Sequence, residues 1–227
     1  MFWPLLVVFA FYLLVFRAAG EVWARRWGKY SGQAAACGRS GEDVARQLLA
    51  EGGADDIRVA RGRAHDTSRF DPSRKCVLLG PGVHDGRSIG ALAVAAQAAV
   101  EALPGVRTNA AGNWRRSVVT FGRGGAGLVV LGCVFFALFR PILWRILPYA
   151  WVGCGLVLLA GHALTLGWEY QVAAEAMRRL QRAGCIGRGE EDAFAEMRKA
   201  VPLREVHGIG ASLGRAFSAL VPTKGWK

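Results

Sequence analysis

Residues 88–103 are small or apolar on every side of a helix. Ser88 suits the N-cap position, and Pro104-Gly105 would end the helix. A helix that is apolar around its whole circumference is normally buried, so this segment predicts the centre of a core. Only Gln97 and Glu101 interrupt it, and side chains four residues apart lie on one helix face. A buried carboxylate is costly unless it is paired or neutralised. We therefore expect another part of the protein to meet this face, or the face to line a cavity.

Three long apolar segments predict an α-helical membrane protein with about three transmembrane helices. Residues 2–16 carry no charge and, with Ala18, Ala19, Gly20 and Val22, approach the roughly 20 residues that a helix needs to span a bilayer. This predicts an N-terminal transmembrane anchor over residues 1–23. Two further apolar runs, at 124–139 and 146–166, predict two transmembrane helices within residues 124–166.

The distribution of basic residues predicts the topology. The chain carries a formal charge of +12, and only two of its 29 Lys and Arg residues lie within residues 124–166. Basic segments remain preferentially on the cytoplasmic side of a membrane. We therefore expect residues 24–123 and 167–227 in the cytoplasm and the N-terminus outside. The sequence contains no nucleic-acid-binding module, so its basic clusters favour anionic lipid as a partner over nucleic acid.

Residues 24–123 predict a small α+β cytoplasmic domain around the central helix. A capping box at Ser40–Asp43 begins a helix that continues to Leu49. Residues 57–59 and 75–79 are strand candidates, and residues 71–74 form the turn predicted between them. Residues 167–227 predict a C-terminal helical region that is cytoplasmic or interfacial.

The five cysteines have no close or regular spacing, and their number is odd. This pattern is typical of reduced thiols rather than of a disulfide framework or a zinc ribbon. The residues are Cys37, Cys76, Cys133, Cys154 and Cys185.

Three motifs resemble the YugP-like family of bacterial membrane zinc metallopeptidases. They are Gly41-Glu42-Asp43-Val44-Ala45-Arg46, Phe70-Asp71-Pro72 and the lead-in Gly86-Arg87-Ser88-Ile89-Gly90-Ala91-Leu92-Ala93-Val94-Ala95-Ala96. The resemblance covers about residues 1 to 200. It implies a zincin-like fold for the cytoplasmic domain, a zinc cofactor and a location in the bacterial inner membrane.

The chain departs from the family at the residues that carry the chemistry. Where the family has His-Glu-x-x-His, this chain has Gln97-Ala98-Ala99-Val100-Glu101. The resemblance thus places Gln97 and Glu101 at the two zinc ligands and Ala98 at the catalytic glutamate. Glu169 matches a family carboxylate, whereas Gln171 stands where the family has aspartate. Catalytic zinc sites typically use imidazoles with a carboxylate, so we expect no catalytic residue, no metal ligand set and no cofactor.

Two interpretations of Gln97 and Glu101 remain open. They form either a packed polar pair, with Glu101 bonded to Arg87 or Arg115, or a relic site that still binds a ligand. His84 is a third possible partner, although it could approach Glu101 only if its loop folded back over the helix.

These observations predict a catalytically inactive homologue that acts as a structural or interaction subunit of a membrane assembly, with other membrane proteins as partners. One alternative is an active membrane metallohydrolase whose atypical metal site uses Glu101 and Glu169. A second alternative is a membrane-surface module that binds anionic lipid through a basic face.

Overall fold

The computed structural model describes residues 3–63, 68–110, 112–114, 117 and 147–204, which are mostly helical. The larger of two compact units comprises residues 22–113 and 166–204. It contains the sheet, the central helix and Gln97, Glu101 and Glu169. The second unit includes residues 3–21 and 147–165.

The central helix is α4, Ile89–Ala102, and it forms where the sequence predicts it. Ser88 caps the helix, because its Oγ accepts a hydrogen bond from the Ala91 backbone N–H at 3.2 Å. All of its residues except the half-buried Glu101 are buried. The many alanines let neighbouring helices approach closely, so α4 forms the middle of the larger unit's core.

Helix α2, Gly41–Glu51, packs against α4 and begins at the predicted capping box. Ser40 Oγ accepts from the Asp43 N–H, and the Asp43 carboxylate accepts from the Ser40 N–H, both at 3.2 Å. Gly41 is required by a close approach, since a Cβ there would lie 2.1 Å from the Val83 carbonyl oxygen and 3.2 Å from Ala95 Cβ.

The sheet has three strands in the order β1-β3-β2: β1 is Arg58–Arg61, β2 is Arg69–Asp71 and β3 is Cys76–Leu79. β1 and β3 are parallel, whereas β2 and β3 form an antiparallel hairpin. The predicted turn at residues 71–74 exists, but it joins β2 to β3 rather than the two strands predicted from sequence. β2 escaped prediction because it has three residues and only Phe70 is buried.

The described residues also form five further helical segments. They are α1 (Trp3–Ser31), α3 (Pro81–His84), α5 (Pro104–Arg107), α6 (Leu147–Arg182) and α7 (Glu191–Ala200), with a 3-10 turn at Val201–Leu203. The helix predicted from residue 167 is the last part of α6. It ends before Gly184, whose φ of +66° suits glycine.

The three predicted transmembrane helices stay predictions. α1 covers the first predicted span and α6 covers most of the third, but the side chains of residues 3–13 and 147–159 are not described. The second predicted span, residues 124–139, and the end of the chain from residue 205 lie outside the described residues. In the part of the chain that the structure covers, no helix has both the length and the apolarity needed to cross a membrane.

Candidate functional site

A buried polar cluster joins α4 to α6. Gln97 Nε2 donates a hydrogen bond to Glu169 Oε2 at 2.7 Å and a longer one to Glu101 Oε1 at 3.4 Å. Gln97 is 1% exposed and Glu169 is 2% exposed, so this contact is shielded from solvent. Glu101 and Glu169 also take part in further polar or electrostatic interactions. The face of α4 that the sequence singled out therefore meets a carboxylate 72 residues further along the chain.

The buried face of α6 explains why Glu169 points inward. From Glu169 onward, the buried residues of α6 lie three or four positions apart, which is the spacing of one helix face. The others are Val172, Ala173, Ala176, Met177 and Leu180. The apolar periodicity after residue 167 is thus a sequence signal that could have identified Glu169 as a core residue.

The two carboxylates determine the orientation of the Gln97 amide. A carboxylate oxygen accepts hydrogen bonds, and only the amide nitrogen can donate them. The reverse orientation would place Gln97 Oε1 against the oxygens of both Glu101 and Glu169. With the nitrogen facing the carboxylates, Gln97 Oε1 is buried and has no hydrogen-bond partner among the described residues. An unpaired buried acceptor is costly, so this oxygen marks a position where a hydrogen-bond donor would be favoured.

The zinc ion implied by the family resemblance does not fit these residues. A zinc ligand must present a lone pair, but Gln97 presents N–H groups to the carboxylates. Ala98, at the position of the catalytic glutamate, is a fully buried methyl group. Among the described residues, no three His, Cys, Asp or Glu side chains are grouped so that they could hold a metal ion.

His84 is paired at the start of α2. Its Nδ1 lies 2.7 Å from Asp85 Oδ1, and its Nε2 lies 3.3 Å from Glu42 Oε2. The hydrogen bond from His84 holds the pKa of Asp85 below its usual value, and the charge of Arg61, 2.9 Å away, acts in the same direction. The structure thus brings His84 to two other carboxylates.

The remaining predicted site residues are dispersed. Arg87 is exposed, and its charge helps to lower the pKa of Asp43, after the larger effect of the Ser40 hydrogen bonds. Gln171 is exposed, although it is only two residues from the buried Glu169. Arg115 lies outside the described residues. The structure therefore brings together Gln97, Glu101 and Glu169.

Sequence reasoning missed Glu190, which is 9% exposed and lies just before α7. Its Oε1 accepts a hydrogen bond from the Ala36 N–H, and its Oε2 accepts one from the Gly187 N–H, both at 2.8 Å. A glutamate between a glycine-rich loop and a helix resembles an ordinary helix start. Its long-range partner could not be read from the neighbouring residues.

Comparisons with known proteins agree with the sequence motifs. A family model described as "Putative neutral zinc metallopeptidase" matches residues 5–207. The chain is 30% identical over 192 residues to a protein of Bacillus subtilis (strain 168) named "Putative membrane protease YugP", with 82% of this chain and 81% of that protein covered. No solved structure matches this chain.

Proposed function

Because this chain belongs to the neutral zinc metallopeptidase family, we propose that it is a non-catalytic member that acts by binding a partner in a membrane assembly. In this proposal the buried cluster of Gln97, Glu101 and Glu169 stands in place of a metal centre. Its role is to hold α4 against α6 and so preserve the surface of the domain.

The observation that carries this proposal is the 2.7 Å hydrogen bond from Gln97 Nε2 to Glu169 Oε2. The amide occupies the space in front of the carboxylate from which a metal ion would be coordinated. A hydrogen bond to a charged group contributes about 1.5–3 kcal/mol. The bond also supplies the buried Glu169 with a donor, which a buried carboxylate requires. The neutral Gln97 side chain thus stabilises the buried carboxylate as a metal ion would, but it cannot activate water.

Catalysis would also require a group that activates water. In zincin sites a glutamate beside the first ligand serves this purpose. Ala98 occupies that position and is fully buried, so its methyl group can neither accept a proton nor contact water. The proposal therefore assigns no residue a catalytic role.

The proposed location is the bacterial inner membrane. The relative named as a membrane protease supports membrane association for this chain. The three apolar segments and the scarcity of basic residues in residues 124–166 favour an external N-terminus and a cytoplasmic main domain. Other membrane proteins are the proposed partners, with anionic lipid beside the basic clusters.

Metal content provides the first test. The full-length chain, purified in detergent without added metal, would be compared by mass spectrometry with Glu101→Ala and with Glu51→Ala, a control on the exposed end of α2. We expect less than about a tenth of an equivalent of any metal in all three proteins, since the donor set lacks an imidazole. Near one equivalent, retained in Glu51→Ala and lost in Glu101→Ala, would overturn the proposal in favour of an atypical metallohydrolase.

Recovery of a partner tests the second part of the proposal. The tagged chain would be captured from native membranes after mild chemical cross-linking. We expect a defined membrane protein at a constant ratio to the chain, absent when the membranes are first dissolved in denaturing detergent. Recovery of the chain alone would refute a subunit role.

A further inference from the structure

The backbone around Cys37 is held to the loop after α6 by Glu190. This carboxylate accepts hydrogen bonds from the N–H groups of Ala36 and Gly187, both at 2.8 Å, and so joins the loop before α2 to the loop before α7. The two loops also touch directly, since a Cβ added at Gly187 would lie 2.6 Å from Ala36 Cβ. Two segments about 150 residues apart in sequence are thus fixed against each other.

Each of these two segments carries a cysteine. Cys37 directly follows Ala36, and Cys185 precedes Gly187 by two residues. The Cys37 thiol lies close enough to Cys185 to contribute to the pKa of the Cys185 thiol, and neither cysteine is in a disulfide. Cys185 also lies 3.7 Å from the carbonyl oxygen of Ala183. The Glu190 contacts therefore keep two thiols adjacent.

The two thiols differ in accessibility. Cys185 is fully buried, whereas Cys37 is half-buried and lies at the edge of the core. Burial, with a smaller contribution from Cys37, raises the pKa of the Cys185 thiol to about 11. A thiol reacts as its thiolate, and a buried protonated thiol is inert until a partner reaches it. An external reagent will accordingly meet Cys37 first.

We infer that Cys37 and Cys185 form a redox-responsive pair that a low-molecular-weight disulfide converts into an intrachain disulfide. Cys37 is the thiol that reacts first, and Cys185 is the thiol that completes the bond. The bond would lock the loop before α2 to the loop before α7. In a reducing compartment such pairs are transient or sensory rather than structural.

The small disulfide is the oxidant in this reaction and accepts the two electrons that the protein thiols lose. The Cys37 thiolate attacks one sulfur of the small disulfide, which breaks its S–S bond and releases one small thiol. Cys185 then loses its proton and attacks the Cys37 sulfur, which releases the second small thiol. Two protein thiols become one disulfide, and one small disulfide becomes two small thiols.

Oxidised glutathione serves as the probe on the full-length, detergent-purified chain. After exposure to an excess of oxidised glutathione, the protein would be alkylated, digested with trypsin and analysed without reduction. We expect the tryptic peptide of residues 30–39 to be linked to that of residues 183–188. The linked protein should migrate as a monomer. A disulfide-linked dimer, free thiols at both positions or a stable glutathione adduct on Cys37 would overturn the inference.

Three variants distinguish this pair from general thiol reactivity. In Cys185→Ser, Cys37 should accumulate a glutathione adduct, because no second thiol resolves it. In Cys37→Ser, Cys185 should remain unmodified. Cys76→Ser removes another buried thiol whose pKa burial raises, and it should leave the yield of the Cys37–Cys185 bond unchanged. Equal modification of Cys185 with and without Cys37 would refute the proposed order of reaction.

Discussion

Replacing Gln97 by glutamate changes one donor group into an acceptor at almost constant volume. In Gln97→Glu, the new carboxyl oxygen would stand where Nε2 now lies, 2.7 Å from Glu169 Oε2 and 3.4 Å from Glu101 Oε1. Adjacent buried carboxylates cannot all be ionised, so the folded variant must retain a proton that the unfolded chain releases. We expect the variant to lose stability relative to the wild type as the pH rises.

The magnitude follows from the linkage between protonation and folding. An unfolded glutamate has a pKa of about 4.3, and each pH unit over which only the folded state holds the proton costs about 1.4 kcal/mol. Between about pH 4.3 and pH 7 the loss can reach about 3–4 kcal/mol. The retained proton has a higher pKa in the folded state than in the unfolded state. The stability that it contributes is therefore complete below the unfolded pKa and is lost as the pH rises through the folded pKa.

Gln47→Glu provides a matched control on α2. Gln47 Nε2 also donates to a carboxylate at 2.7 Å, that of Glu51, but this contact is exposed. A solvent-exposed pair four residues apart on a helix changes stability by only about 0.2–0.5 kcal/mol. Urea unfolding of both variants and the wild type, followed by circular dichroism in detergent from pH 4.5 to pH 8, measures the difference. A deficit of Gln97→Glu that does not change with pH, or that matches Gln47→Glu, would refute the assigned orientation of the Gln97 amide.

Three further predictions concern contacts around the core. Glu190→Gln keeps one of the two hydrogen-bond acceptors and should lose about 1.5–3 kcal/mol of stability. Glu190→Ala removes both acceptors, so it should lose more stability and should also reduce the yield of the Cys37–Cys185 bond under glutathione. Equal shifts in melting temperature for the two variants would contradict the two hydrogen bonds that Glu190 accepts. Gly41→Ala should lower the melting temperature strongly, because its Cβ would lie 2.1 Å from the Val83 carbonyl oxygen; an unchanged melting temperature would exclude that approach. Hydrogen bonds from Ser40 hold the pKa of Asp43 below its ordinary value of 3.8. Asp43→Asn should therefore be less stable than the wild type at neutral pH. In an acid titration monitored by circular dichroism, this difference in stability should disappear as the pH falls through the folded pKa of Asp43.

Local sequence signals predicted the elements whose stabilising contacts lie within a few residues. The cap at Ser88, the apolar circumference of α4 and the capping box of α2 each depend on groups no more than four positions apart. Such contacts form in the same way wherever the segment is placed, so their residues are sufficient to predict them. The family motifs also identified the site positions, because Gln97, Glu101 and Glu169 occupy recognisable places in the family pattern.

Only the tertiary structure decided which distant groups meet. The sequence placed Gln97 on a buried face, but it left Arg87, Arg115 and, if its loop folded back, His84 as candidate neighbours of Glu101. The fold brings Glu169 to Gln97 across 72 residues. The parallel pairing of β1 with β3 and the approach of Cys185 to Cys37 are equally non-local. Such contacts depend on how whole elements pack, and no local pattern of residues specifies them. The sequence alone thus determined helices α2 and α4 and the loss of the metal-binding residue types, while the packing of α6 beside α4 determined that an amide hydrogen bond occupies the centre of the site.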